Sequence, residues 1–287
     1  GLTITGGHAN GSSSYAASGG GIFVSRSSVT LTRVVFDDNR ADSSGGSVRA
    51  AYSELTCVDC EFRGGTAAKG GGAIDLSYDS DATISGTLFE GNNAAWGGAI
   101  SARTGSSCLF DDCRFLDNAT LPPQNLGGAF FADHAARVTF RTCVLAGNRA
   151  RQGGAARFTG ALVGLTNCTV DSNEATEVGG AFVLRGGSTV LQNTIVSNNE
   201  GEAVSLLDDA FIWTSACDIH GNAGGDWTDD LLPQLRENNN ISADPLFCDE
   251  GLYTLQENSP CAEANSAGGL IGALPVGCVD VGLVLQQ

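Results

Sequence analysis

Along most of the chain apolar and polar residues alternate at period two over short runs, such as Ala73-Ile74-Asp75-Leu76 and Ala181-Phe182-Val183-Leu184. That period predicts strands rather than helices. Each run follows a glycine pair: Gly45-Gly46, Gly71-Gly72, Gly97-Gly98, Gly127-Gly128, Gly153-Gly154 and Gly179-Gly180, with Gly20-Gly21 and the degenerate Gly201-Glu202 at either end of the series. A second signal lies between the pairs, a large apolar residue three places before an Asn. These anchors are Phe36, Phe62, Phe89, Phe115, Leu145, Val170, Ile195 and Ile219, spaced by 26, 27, 26, 30, 25, 25 and 24 residues. Ile4 reads as a ninth anchor. The wide spacing holds a loop at 120–125, and residues 8–18 form another insertion.

A unit of about 26 residues with several short strands cannot bury its own apolar face. Coiled into a solenoid, each turn lies on the last and like positions stack at roughly 4.8 Å. Three columns support that alignment. Five places before the anchor stand Leu31, Cys57, Ile84, Phe110, Phe140 and Leu165. Two before it stand Val34, Cys60, Thr87, Cys113, Cys143, Cys168, Asn193 and Cys217. After the glycines come Ile22, Val48, Ile74, Ile100, Phe130, Ala156, Phe182 and Val204. All three are filled mostly by small or apolar residues, as an interior requires. Asn39, Asn92, Asn118, Asn148, Asn173, Asn198 and Asn222 recur at turns, where Asn tolerates left-handed backbone and can hydrogen-bond along a stack. The expected fold is therefore all-β, a parallel β-helix of about nine or more turns.

Gly71 to Ile74 and Gly97 to Ile100 (Gly-Gly-Ala-Ile), with Phe36 to Asn39, Phe89 to Asn92 and Phe115 to Asn118 (Phe-x-x-Asn), resemble the paired motif of the polymorphic outer membrane protein repeat. The resemblance covers roughly residues 19–223. It implies a right-handed β-helix at a cell surface or outside the cell, often in adhesion, and carries no catalytic residues. From Gly224 the rhythm breaks. Asp244-Pro245-Leu246-Phe247, Ser259-Pro260-Cys261 and Ile271-Gly272-Ala273 are similar to the closing segment of secreted bacterial β-helix proteins. The chain thus divides into repeats over 1–223 and final turns with an irregular cap over 224–287, as an open solenoid end would otherwise expose strand edges. The first residues, Gly1 to Thr5, already read as a strand and no Met is present, so a processed product or fragment is expected.

Charge narrows the function classes. Thirty-two acids against 15 bases give a net charge of −17, which disfavours nucleic acid and anionic membranes, and no apolar run is long enough for a membrane helix. Ten Cys point to an oxidising compartment. Cys60, Cys113, Cys143, Cys168 and Cys217 share one inward column, either as free packed thiols or, on consecutive turns, within disulfide reach. Cys57-x-x-Cys60 has no matching second pair for a metal. In the cap one disulfide is expected, assigned to Cys261 and Cys278.

Other candidates are weaker. The acidic runs Asp37-Asp38, Asp111-Asp112 and Asp79-Ser80-Asp81 offer carboxylates to Ca²⁺, with Asp79 and Asp81 as the named ligands, although a solvated loop is the commoner outcome. No other cofactor is expected. The outward column Arg49, Asp75, Ser101, Phe131, Arg157 forms no compact acid–base set, and Arg49 with Asp75 reads as a surface ion pair of little worth. Asp133-His134 reads as an exposed turn. The outward threonines Thr30, Thr56, Thr83, Thr139 and Thr189 form a broken ladder, poor for binding ice. Trp96, Trp213, Trp227, Phe23 and Phe131 are aromatics able to stack on a sugar or a partner. Asn10, Asn118, Asn167 and Asn240 fit the glycosylation pattern.

The expectation is an extracellular or cell-surface rod, structural or adhesive and non-catalytic, presenting the 8–18 and 120–125 loops to protein or glycan partners. End-to-end self-association is a further expectation. The competing class is a carbohydrate-active β-helix, a lyase, hydrolase or glycan-binding module.

Overall fold

The computed structural model describes residues 1–249, 251–263, 266–267 and 269–278; the last nine residues of the expected cap lie outside the described residues. Most turns of the coil use four strands, and the last ones use three. One turn runs through Ile74–Ser77, Asp81–Ser85, Leu88–Glu90 and Asn93–Ala94. Every strand pairs in parallel with its equivalents one turn away, so that Ile74 faces Val48 and Ile100, and Phe89 faces Phe62 and Phe115. Four long sheets result. The glycine-side sheet runs from Ile22–Ser25 to Val204–Leu207, and the long-strand sheet from Ser28–Thr32 to Phe211–Ser215. The anchor sheet runs from Leu2–Thr5 to Asp218–His220, and the narrow sheet from His8–Ala9 to Glu174–Val178. This is the expected parallel β-helix.

The core follows from the stacking. Phe36, Phe62, Phe89 and Phe115 lie ring on ring with centroids 4.7, 5.1 and 4.8 Å apart, matching the inter-strand distance. Each is fully buried and contributes about 1.5–3 kcal/mol of apolar burial. The doubled glycine has two separate causes. Gly97 takes φ +58°, and a Cβ on Gly98 would collide with the Gly128 carbonyl one turn on. The first position needs a left-handed backbone and the second needs no side chain. By register the first pair is Gly19-Gly20, since Ile22 lies opposite Val48 and Gly19 carries the positive φ.

The Asn column becomes a hydrogen-bonded ladder. The Oδ1 of Asn118 accepts from the main-chain N–H and the Nδ2 of Asn92 at 3.0 and 2.9 Å, while its own Nδ2 donates to Phe89 O and Asn148 Oδ1. The pattern continues through Asn148, Asn173, Asn199 and Asn222 and ends on the carboxylate of Asp226. Asn39 stands apart from the main run because Gly65 occupies the intervening turn; its Oδ1 accepts from Gly7 and its Nδ2 donates to Ile4.

One turn departs from the expected frame by a residue. Val170 pairs with Val196, not Ile195, so Asn199 enters the ladder in place of Asn198. Thr194 replaces Asn193 in the cysteine column, and Thr189 turns inward while Val190 faces out. Ile195-Val196 and Asn198-Asn199 fit either frame by polarity alone. Backbone conformation chooses. The residue before each ladder Asn is left-handed, as at Gly91, Asp117, Gly147 and Ser172, and Asn198 (φ 54°) fills that position.

The C-terminal segment first plugs the coil and then doubles back. Trp227 and Leu231 enter the core, and the Trp227 indole donates to Ile219 O at 3.1 Å. In the 3-10 helix Asp229–Arg236, Gln234 covers the open edge of the last long strand by accepting from Thr214 and donating to Ile212. The described residues between 243 and 278 then return along the outside of the anchor sheet. Leu255, Cys261 and Ile271 pack on Ile195, and Ala273 on Val144 and Ala146.

The disulfide expectation is corrected there. Cys248, not Cys261, joins Cys278, with Cα atoms 5.9 Å apart. Leu255 pairs with both Phe247 and Val276 and so brings the two segments together. Cys261 is buried instead against the last anchor strand, its thiol 3.0 Å from Asp218 Oδ2.

Candidate functional site

The outer face of the glycine-side sheet was expected to be exposed; it is a buried polar floor. Arg49, Asp75, Ser101, Phe131 and Arg157 are 7, 0, 0, 8 and 8 % exposed. The doubled-glycine turn causes this. It folds tightly onto the start of each strand, and the residue before it (Gly70, Trp96, Leu126, Gln152) forms its own parallel row along the sheet margin. Gly70 matters here for what it lacks. A Cβ there would lie 2.9 Å from Ser101 Oγ and would overlap the Trp96 indole nitrogen, so the missing side chain lets Trp96 lean across the floor.

The residues assemble around Asp75. Its Oδ2 lies 3.0 Å from Arg49 Nη1 and its Oδ1 accepts from Arg103 Nη2 at 3.1 Å. Arg49 Nη2 also donates to Ser77 Oγ. The Arg103 guanidinium lies over the Trp96 ring, 5.5 Å from its centre, and Trp96 in turn is 6.5 Å from the Phe131 ring. The surface pair of the sequence reading is thus a buried pair, Arg49 with Asp75, joined by the partly exposed Arg103. Both carboxylate oxygens lie within ion-pair distance of a guanidinium, and Lys69 stands exposed in a turn.

Polar atoms on this face are left over. Arg49 Nε, Asp75 Oδ2, Trp96 Nε1, Ser101 Oγ, Arg103 Nε, Asp133 Oδ1 and Arg157 Nε are buried without a hydrogen-bond partner, Asp75 Oδ2 having only its ion contact with Arg49. Each such group costs about 1–3 kcal/mol, and native folds carry few of them without reason. Aromatic rings beside fixed donors and acceptors suit a hydroxylated, ring-shaped ligand. Of these residues the sequence named Arg49, Asp75, Ser101, Phe131, Arg157 and Trp96. Arg103 and the floor position of Asp133 were missed, although the period-two rule places both outward, two residues after Ser101 and Phe131.

The other candidates lie elsewhere. Asp79 and Asp81 line a groove of about 300 Å³ at the corner between the glycine-side and long-strand sheets, beside Glu54, Tyr52 and Arg26. Cys60, Cys113, Cys143, Cys168 and Cys217 are buried with free thiols. Each Sγ donates to the carbonyl two residues earlier, as Cys143 does to Arg141 at 3.1 Å, and Thr87 and Thr194 make the same bond. The column therefore asks for a small side chain with a donor. Burial pushes the Cys217 thiol up to about 12.

His134 Nδ1 lies 2.8 Å from Asp133 Oδ2, and His8 contacts Asp42 on the narrow sheet. Trp227 is buried in the core, whereas Trp213 is exposed. Of the glycosylation-pattern residues, Asn118 and Asn240 are buried and hydrogen-bonded.

No curated protein and no solved structure matches this chain. The family described as the right-handed β-helix region matches residues 20–181 and 154–267, two overlapping stretches that span most of the chain. The coil geometry and this match agree, and the chain belongs to the right-handed β-helix family.

Proposed function

We propose that this protein is a non-catalytic extracellular or cell-surface rod that recognises a glycan on the outer face of its glycine-side sheet. The observation that carries the reading is the buried set of unpartnered polar atoms beside Trp96 and Phe131. The fold has no use for them: the equivalent floor position one turn after Arg157 is Val183, an apolar residue. The resemblance of the Gly-Gly-Ala-Ile and Phe-x-x-Asn motifs to surface-exposed repeat proteins supports the location and the adhesive role. The 8–18 and 120–125 loops remain the proposed contacts for protein partners.

A second reading, a carbohydrate-active enzyme, draws on Asp133 with His134 and on the acidic corner groove of Asp79 and Asp81 as a Ca²⁺ site. It is the weaker one, because Asp75 is ion-paired to two arginines and Asp133 is engaged by His134. A glycan array run with Ca²⁺ and with chelator, followed by a product assay on each hit, separates the two. Binding without cleavage, abolished by Trp96→Ala, is expected. Cleaved product overturns the non-catalytic reading, and an array silent for every glycan overturns recognition on this face.

A further inference from the structure

Arg157 is the unusual member of the floor. Neighbouring arginines each have a carboxylate: Arg149 pairs with Glu174, Arg151 with Glu177 and Arg185 with Asp208. Among the described residues no carboxylate pairs with Arg157. Its Nη1 donates to Gln152 Oε1 and its Nε has no partner. Burial, then the like charges of Arg185 and Arg151, hold its guanidinium below the usual range. The charge of Asp208 opposes these effects without pairing directly with Arg157, and a buried cation with no paired carboxylate destabilises a fold. The positions opposite it on the adjacent turns are Phe131 and Val183, so an apolar residue fits this column. In a chain of net charge −17, the fold keeps a costly positive charge where packing does not require one.

We propose that Arg157 is the anion-binding point of this face and that the glycan bound there carries a carboxylate or a sulfate group. The proposal rests on the glycan reading above and names the ligand class. Phe131 and Arg157 stand opposite one another on adjacent turns, about 4.8 Å apart. That spacing lets a sugar ring lie against Phe131 and Trp96 while an exocyclic acid group meets the guanidinium. A guanidinium presents paired N–H groups to a carboxylate or sulfate in a geometry an ammonium cannot copy. Asp75 does not oppose this, because Arg49 and Arg103 already neutralise it.

The test compares matched polymers by calorimetry on the whole chain: hyaluronan against its methyl ester for the carboxylate source, and dextran sulfate against dextran for the sulfate source. At least one charged member is expected to bind tenfold or more tightly than its uncharged partner. Arg157→Gln should remove that difference, Arg157→Lys should restore only part of it, and Arg114→Gln, an exposed arginine on the anchor sheet, should leave it unchanged.

Charged and uncharged members binding alike overturns the anion point, as does an Arg157→Gln protein that keeps the difference. Glycan-array hits confined to neutral sugars overturn it too while leaving glycan recognition standing. A silent array removes both. If Arg157→Gln does not fold, the matched polymers on the unaltered protein decide alone.

Discussion

Two buried polar stacks run along this solenoid, and they differ in one respect. In the asparagine ladder every amide from Asn92 to Asn222 has its oxygen and nitrogen engaged, and Asp226 closes the end. On the outer face of the glycine-side sheet, seven side-chain atoms within a few turns have no hydrogen-bond partner. The atoms left unpartnered are as buried as the ladder amides, although Trp96, Arg103 and Asp133 are themselves only partly buried, so burial of those atoms does not distinguish the stacks. Satisfaction does. A closed ladder uses its hydrogen bonds to hold turns together, whereas the open one is the face proposed above for a ligand.

That contrast can be broken at several points. Asn118→Ala should have the largest effect. It strands the Phe89 carbonyl and the amides of Asn92 and Asn148, and should cost about 4 kcal/mol in urea unfolding without changing glycan affinity in the remaining folded protein. Asp75→Asn, on the other face, leaves the buried Arg49 and the partly buried Arg103 without a carboxylate and should cost about 3 kcal/mol. Arg157→Met should move stability the opposite way, raising it by about 1 kcal/mol while weakening binding of the charged polymer at least tenfold. A destabilised Arg157→Met protein would mean that the charge serves the fold, and the contrast between the stacks would fail.

A smaller effect belongs to the cap. Burial pushes the Asp218 carboxyl above the usual carboxylate range. A group whose folded-state value is raised favours the fold below its unfolded value and loses that contribution as pH rises through the folded one. Thermal melts of the unaltered protein should therefore fall, as pH rises above about 4, by more than those of Asp218→Asn. Cys143→Thr is the mildest change. Threonine already makes the same bond at Thr87 and Thr194, so a loss below about 1 kcal/mol is expected in urea; a larger loss would mean that the thiol column is more than packing.

How much was legible follows from what repeats. The phenylalanine anchors, the glycine pairs and the inward columns recur on successive turns, and a period seen many times averages out single-residue noise. The Ile195 turn was misread because Ile-Val and Asn-Asn are degenerate pairs, and only the left-handed backbone at Asn198 separates them. Arg49 and Asp75 were paired correctly and judged wrongly. Period two sends them outward, but outward is exposed only if nothing folds over the sheet, and the glycine turns with Trp96 do. Arg103 joins Asp75 across a turn, a contact with no local signature. The cap disulfide was missed for the same reason: three cysteines offer three pairings, and the strand pairing of Leu255 with Val276 selects one.

The amino-acid sequence alone determined the coil, because a unit that cannot bury its own apolar face must stack on its neighbours, and the stacking period is written in every turn. Tertiary structure alone decided which polar residues were closed off and which were left open. That depends on hydrogen bonds between residues roughly 25 or more positions apart and on a return segment packed over the anchor sheet. Neither leaves a periodic trace in the sequence.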